Sequence, residues 1–344
     1  MIGKDDIIKT GLQVETNTYQ IREGNGLKFK KYGLKVMAEY MGIATGFPLT
    51  AGGFDQTGKT EFIFELLLQR SELYDQKHLL FTGEVGSVED IYIDLYSKAG
   101  FKPYNKFDVY GNPQPHQTDK EAAKSKMFID NHFFVVDTKN TPDLFRFDDL
   151  TKEIDKFAFA NELDIQNFDT ITIDPYYEIS RENEPQTDQA LQVLFGKIYR
   201  YGQKNKVDVI MTNHISKPEK YIDLSDGRKY PAMASSYQWA GGQKWKQKGF
   251  LLLGLYRPHP LGDYSEPPRP NELWVTVEKS KPKGLGKQGL FKLYYDAFCG
   301  RYYEIINGEA KFSRDWQKEE SDLFKEHTKA MQPNEDFNND KAPF

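Results

Sequence analysis

The chain has a single cysteine, Cys299, in 344 residues. One thiol excludes an intrachain disulfide and any metal site built from cysteines, and it fits a reducing compartment. Positive charge is also scarce. Against 51 Asp and Glu stand 46 Lys and Arg, a formal net charge of −5. A globally basic coat for nucleic acid is excluded, whereas local basic loops in a ring or cleft are not, because the local field matters more than the sum. No apolar run approaches the roughly 20 residues that span a bilayer. The opening "MIGKDDIIKTG" lacks the apolar centre of a signal peptide. The expectation is a soluble protein without a membrane partner, cytoplasmic or, if viral, in the host cytoplasm. No repeat of solenoid length is present.

What is present is alternation. From about residue 47, short apolar runs alternate with longer helical patterns. "FPLTAGG", "HLLFTGE", "HFFVVD", "FDTITIDP" and "VDVIMTN" read as strands. "KTEFIFELLLQRSEL", "SVEDIYIDLYSKAG", "TDKEAAKSKM", "FDDLTKEIDKFAFANEL" and "TDQALQVLFGKIYRYGQKN" read as helices between them. Ser87 is the expected N-cap of the second helix, with Glu89 and Asp90 in its first turn and Gly100 just past its end. A long polar segment follows, 215–236, and then "FLLLGLY", "ELWVTVEKS" and "GLFKLYYD" read as strands without long helices between them. This order predicts an α/β fold, a mostly parallel sheet with antiparallel C-terminal strands. Residues 1–40 read as an N-terminal arm or linker, 41–312 as the folded domain, and 313–344 as an acidic tail.

The first strand runs into Gly53-Phe54-Asp55-Gln56-Thr57-Gly58-Lys59-Thr60, a phosphate-binding loop that opens a helix. The context is what the mechanism demands, since consecutive backbone N–H groups and the helix N-terminus cradle phosphate oxygens. Lys59 is placed to reach the β- and γ-phosphates, and the Thr60 hydroxyl to ligate Mg²⁺. A nucleotide site needs a further carboxylate for the metal, and Asp174, at the end of "TITID", is the candidate. Glu84 ends the second strand on the same sheet edge and is the candidate base. His214, at the end of "VDVIMTNH", is placed to touch a γ-phosphate and serves equally well as a satisfied polar residue.

These stretches, with "SSYQWAGGQKWKQKGFLLLGLYRP" and "LWVTVEKSKPKGLGKQGLFKLYYDAFCGRYYE", resemble the RecA-like ATPase domain of hexameric replicative helicases. That family contains DnaB and the phage and mitochondrial Twinkle-type helicases. The resemblance covers roughly residues 40–306. It implies a homo-oligomeric, hexameric DNA helicase that uses ATP and Mg²⁺, moves on single-stranded DNA and separates duplex in replication. It further implies that Glu84 is the base, that His214 senses the terminal phosphate, and that Arg257 acts in trans on a neighbouring subunit's nucleotide. Where some relatives carry a Lys two positions before that Arg, this chain has Leu255. The family's DNA-contacting loop corresponds to about 215–236, with Lys217, Lys220, Arg228 and Lys229 as phosphate contacts among the acids Glu219, Asp223 and Asp226. Only about forty residues precede the ATPase region, so priming is expected from another protein.

Two other readings of the nucleotide loop stay open at this point. One is a RecA/RadA-like recombinase or DNA-packaging ATPase, and the other a nucleotide-gated scaffold without turnover. The tail "NEDFNNDKAPF" is acidic and ends on Phe344, which resembles the tips of some phage helicases and single-stranded-DNA-binding proteins. It is expected to engage a replisome protein such as a polymerase or primase.

Overall fold

The structure, a computed structural model, describes residues 15–20, 22–23, 29–83, 86–141, 146–161, 168–179, 188–215, 218–223, 229–258 and 271–315. A short helix α1 (Glu15–Gln20) and strand β1 (Lys30–Lys31) precede α2 (Lys35–Tyr40) and β2 (Gly42–Ile43). The alternating part comprises β3 (Leu49–Gly53), α3 (Lys59–Tyr74), β4 (His78–Thr82), α4 (Val88–Gly100), α5 (Asp119–His132) and β5 (Phe133–Val135). It continues with α6 (Phe147–Ala160), β6 (Thr170–Asp174), α7 (Asp188–Asn205) and β7 (Asp208–His214). A hairpin of β8 (Tyr221–Asp223) and β9 (Lys229–Pro231), then α8 (Gln243–Lys248), lead to β10 (Leu251–Tyr256). The chain then runs through β11 (Glu272–Ser280), β12 (Gly289–Asp296), β13 (Arg301–Ile306) and β14 (Glu309–Lys311).

Among the described residues ten strands form one sheet in the order β14-β13-β12-β11-β10-β3-β7-β6-β4-β5. From β10 to β5 each neighbouring pair is parallel. From β10 outward to β14 the pairing is antiparallel. The expected α/β architecture is therefore present, with β13 and β14 extending it beyond the strands legible in the sequence. Strands β3, β4, β6 and β10 are buried at every position. Continuous burial is the mark of parallel strands covered on both faces, and it explains their unbroken apolar runs.

Two apolar cores lie on the two faces. One gathers Phe62, Leu66, Ile91, Leu95 and Ile129 of α3, α4 and α5 against Ala51 and Leu253. The other gathers Leu150, Ile154, Leu194 and Ile198 of α6 and α7 with Trp239 and Trp245 against Ile171, Ile173 and Met211. The alternation of a strand serves both, as Leu251, Leu253 and Leu255 of β10 belong to the first and Leu252 to the second. Helix α4 starts as the sequence predicts: Ser87 and Asp90 form a reciprocal capping box. Its end differs by one residue, since Gly100 is still helical and Phe101 takes the left-handed cap at φ 54°.

The N-terminal boundary moves. Tyr32, Leu34, Met37 and Met41 are buried in the first core, so the folded domain begins near residue 29 and the arm is shorter than 1–40. Long-range polar contacts hold this segment. Gln69 Oε1 accepts from the Gly33 N–H at 2.8 Å, and the buried Glu304 carboxylate accepts from the N–H groups of Lys35 and Val36, each at 2.9 Å. Those two amides open α2, where helical N–H groups lack intrahelical partners and a carboxylate is favoured by the helix dipole. At the other end, the fully buried Arg301 guanidinium meets Glu65 at 2.7 Å and Glu72 at 2.8 Å, tying β13 to α3. A buried guanidinium is tolerated only with such partners.

The chain leaves β3 on one side through β4 to β7 and returns on its other side with β10. The C-terminal end of β3 thus lies where the winding reverses, the position at which open α/β sheets bind ligands.

Candidate nucleotide site

The loop after β3 is shaped by close approach. Gly58 sits at φ +81°, where a side chain is strained, and a Cβ there would lie 2.8 Å from the Arg257 guanidinium. A Cβ on Gly53 would meet Thr57 Oγ1 at 2.7 Å and the Leu255 carbonyl at 2.8 Å. The preceding Gly52 has a different duty: a Cβ there would strike the Trp239 ring at 2.2 Å, so this glycine admits the indole of the second core. The cavity beside the loop, about 510 Å³, is lined by Asp55, Lys59, Thr60, Asp174, Tyr177 and His214 among others.

Lys59, the first residue of α3, is buried, and its Nζ donates to the carbonyls of Phe54 at 3.0 Å and Gly53 at 3.2 Å. The ammonium is thus held at the mouth of the loop on short backbone contacts. The Thr60 hydroxyl donates to Asp174 Oδ2 at 2.6 Å, and the Thr212 hydroxyl donates to the other oxygen, Oδ1. Sheet register explains the meeting. Asp174 ends β6 opposite Thr82 of β4, and His214 ends β7 opposite Gly53 of β3. Thr212 lies on the same strand face as His214, two residues on, a signal that period-two alternation carries in the sequence.

A hydroxyl beside a carboxylate is a hard oxygen donor pair suited to Mg²⁺, which takes one or two protein oxygens and completes its shell with phosphate and water. Among the described residues no group of three or more His, Cys, Asp or Glu gathers as a metal cage. His214 Nδ1 lies 2.5 Å from Asp55 Oδ1 and 3.4 Å from Lys59 Nζ, and its ring packs on Tyr177 at 5.5 Å between centroids. The sequence offers no local signal for the Asp55–His214 or Tyr177–His214 contacts. Behind them the Ala240 carbonyl accepts from Trp245 Nε1 at 2.6 Å and from Tyr176 and Asn213 at 3.2 Å, which anchors the Gly-Gly turn to the end of β7.

Arg257 has surroundings that its sequence expectation does not anticipate. Its side chain is 4 % exposed, Nε donates to the Thr57 carbonyl at 3.1 Å, and the guanidinium lies 5.6 Å from the centre of the Tyr295 ring. The Thr57 contact is with the phosphate loop of its own chain. The cause is that β10 pairs in parallel with β3, so the residue following β10 arrives beside the loop that follows β3. Leu255, where a Lys was sought, is buried in the first core.

Of the remaining expected residues, Glu84, Lys217 and Arg228 lie outside the described residues. Lys220 and Lys229 are exposed at the β8–β9 hairpin, a pair of strands unforeseen in the polar segment, and Lys229 faces Asp223 across it. Among the described residues no helix is long and apolar enough to cross a membrane.

No family model matches this sequence, and no curated protein matches it. Solved structures do match. A DnaB-like replicative helicase, described with its interactions with primase, aligns over 87% of this chain and 68% of its own at TM-score 0.57 and 17% identity. The ATPase domain of another helicase aligns over 88% of this chain and 100% of its own at TM-score 0.63 and 15% identity. The fold is that of a helicase ATPase domain. Within this RecA-like fold the phosphate loop, Asp174 and His214 occupy the C-terminal edge of the parallel strands, and the antiparallel strands β11–β14 complete one side of the sheet.

Proposed function

We propose that the chain is the ATP-hydrolysing motor of a ring-forming replicative DNA helicase, which moves along single-stranded DNA and separates duplex. The observation that carries the reading is the convergence of Lys59, the Thr60–Asp174 pair and His214 on one cavity at the end of β3. In this reading the loop amides and Lys59 bind the β- and γ-phosphates, and Asp174 orients the Thr60 hydroxyl. Mg²⁺, held there by Thr60 and Asp174, would neutralise developing phosphate charge. Glu84 follows β4 by two residues and is the base that takes a proton from the attacking water. His214, at the end of β7, reads the terminal phosphate and passes its presence to the segment that begins at Ile215. Lys220 and Lys229, with Lys217 and Arg228, contact DNA phosphates, and a few such charges per subunit suffice when repeated around a hexamer. Arg257 supports its own subunit's loop through the Thr57 carbonyl.

Forked duplexes with a 5′ or a 3′ tail provide the test, with electron microscopy of the same samples. ATP-dependent strand separation and closed sixfold rings are expected. Helical filaments without unwinding would instead assign a recombinase, and nucleotide binding without turnover a scaffold.

The tail is proposed to dock on a replisome protein, a primase or polymerase, through Phe344 and its carboxylate, with Glu335, Asp336 and Asp340 steering the approach. The association is expected to weaken as salt rises, because the steering charges are screened. Deleting 334–344 is expected to leave ATPase activity intact and to reduce recovery of the partner, most clearly at low salt. Equal recovery by full-length and truncated chains at low and moderate salt would remove the tail from this role.

A further inference from the structure

Phosphate loops are lined with donors, and a carboxylate inside one works against the anion it receives. Asp55 is such a carboxylate. It is the third residue of the loop, its side chain is 79 % exposed, and its Oδ1 lies 2.5 Å from Nδ1 of His214. A carboxylate only accepts, so the imidazole donates from Nδ1. That nitrogen then has no lone pair for the Lys59 ammonium 3.4 Å away, and the donors of the site are arranged around Asp55 instead of around each other. The imidazole is held for this contact by Tyr177, packed on its face. Asp55, by contrast, stands largely in solvent, and the same cavity contains it, Lys59, Thr60 and His214.

We propose that Asp55 is a built-in competitor of the terminal phosphate. With the site empty or holding a diphosphate, its carboxylate occupies the His214 donor. A γ-phosphate takes that donor and displaces Asp55 by like-charge repulsion, and loss of the phosphate after hydrolysis lets Asp55 return. The Asp55–His214 contact is then made or broken according to whether a third phosphate is present, and the end of β7 carries the difference into the segment beyond Ile215. This rests on the reading of the cavity as a nucleoside-triphosphate site.

The discriminating quantity is the ratio of triphosphate to diphosphate affinity. A carboxylate that merely repels anions through space weakens both ligands, whereas one that competes for a single donor weakens only the ligand that needs it. Titration calorimetry on the full chain, with a slowly hydrolysed ATP analogue and with ADP, each with Mg²⁺, measures it for wild type, Asp55→Asn, His214→Ala and the double variant. Asp55→Asn is expected to tighten the triphosphate analogue by at least about fivefold relative to ADP. In the His214→Ala background the same substitution is expected to leave the ratio unchanged, a coupling that a purely structural role of Asp55 would not produce. Equal tightening of both ligands, weaker binding of the analogue, or a ratio change that persists without His214 would each overturn the proposal. Failure of wild type to bind either nucleotide would instead remove the nucleotide reading beneath it, and the proposal with it.

Discussion

Lys59→Ala is expected to reduce ATP hydrolysis by at least about a hundredfold while leaving the fold intact. Lys59 Nζ is held at the loop mouth by the Gly53 and Phe54 carbonyls, directly beside the cavity that would take the phosphates. No other described Lys or Arg lines that cavity, so the developing charge on a transferring phosphoryl group would lose its nearest cation. The companion variant Glu84→Gln is expected to bind nucleotide like wild type and to lose turnover by about 10²–10⁴, the range for a general base. Binding measured by calorimetry and hydrolysis by phosphate release separate the two effects. If Glu84→Gln hydrolyses ATP within a few-fold of wild type, the base lies elsewhere on the sheet edge.

The second large effect is expected at Arg257. Arg257→Ala removes the donor from the Thr57 carbonyl and opens space beside Gly58, inside the turn that presents the loop amides. Small displacements of positioning groups cost on the order of a hundredfold in rate, and a loss of that size is expected here with nucleotide binding retained. Mixing decides where the residue acts. If Arg257 serves its own loop, an excess of Lys59→Ala subunits, each with an intact Arg257, restores no activity to Arg257→Ala subunits. Recovery at hybrid interfaces, in rings shown to exchange subunits, would establish that the side chain leaves its buried position to act on a neighbour. A thermal-unfolding control is needed, because the stranded carbonyl costs about 1–3 kcal/mol by itself.

The features whose physics is local are determined by the sequence alone. A phosphate loop is built from consecutive amides, so Gly53 to Thr60 is legible as a string, and so is the capping box of Ser87 and Asp90, three residues apart. Apolar runs bounded by turn residues likewise disclose the covered parallel strands, since burial on both faces removes polar residues from them. Weak signals fail for the short strands: β8, β9 and β14 have three residues each, too few for a pattern, and they form because a hairpin partner is adjacent.

Tertiary structure alone decides which strand ends become neighbours. Thr60 and Asp174 are 114 positions apart, His214 and Asp55 are 159 apart, and the crossovers and sheet register bring each pair together. The same holds for Glu304, which caps α2 across 269 positions and moves the start of the domain back to about residue 29. Arg257 makes the distinction plainest. Its place at the end of an apolar strand is written in the sequence, but its direction is not. Parallel pairing of β10 with β3 turns it toward its own loop, because a side chain's surroundings depend on the neighbouring strand and the local pattern records only the strand it belongs to.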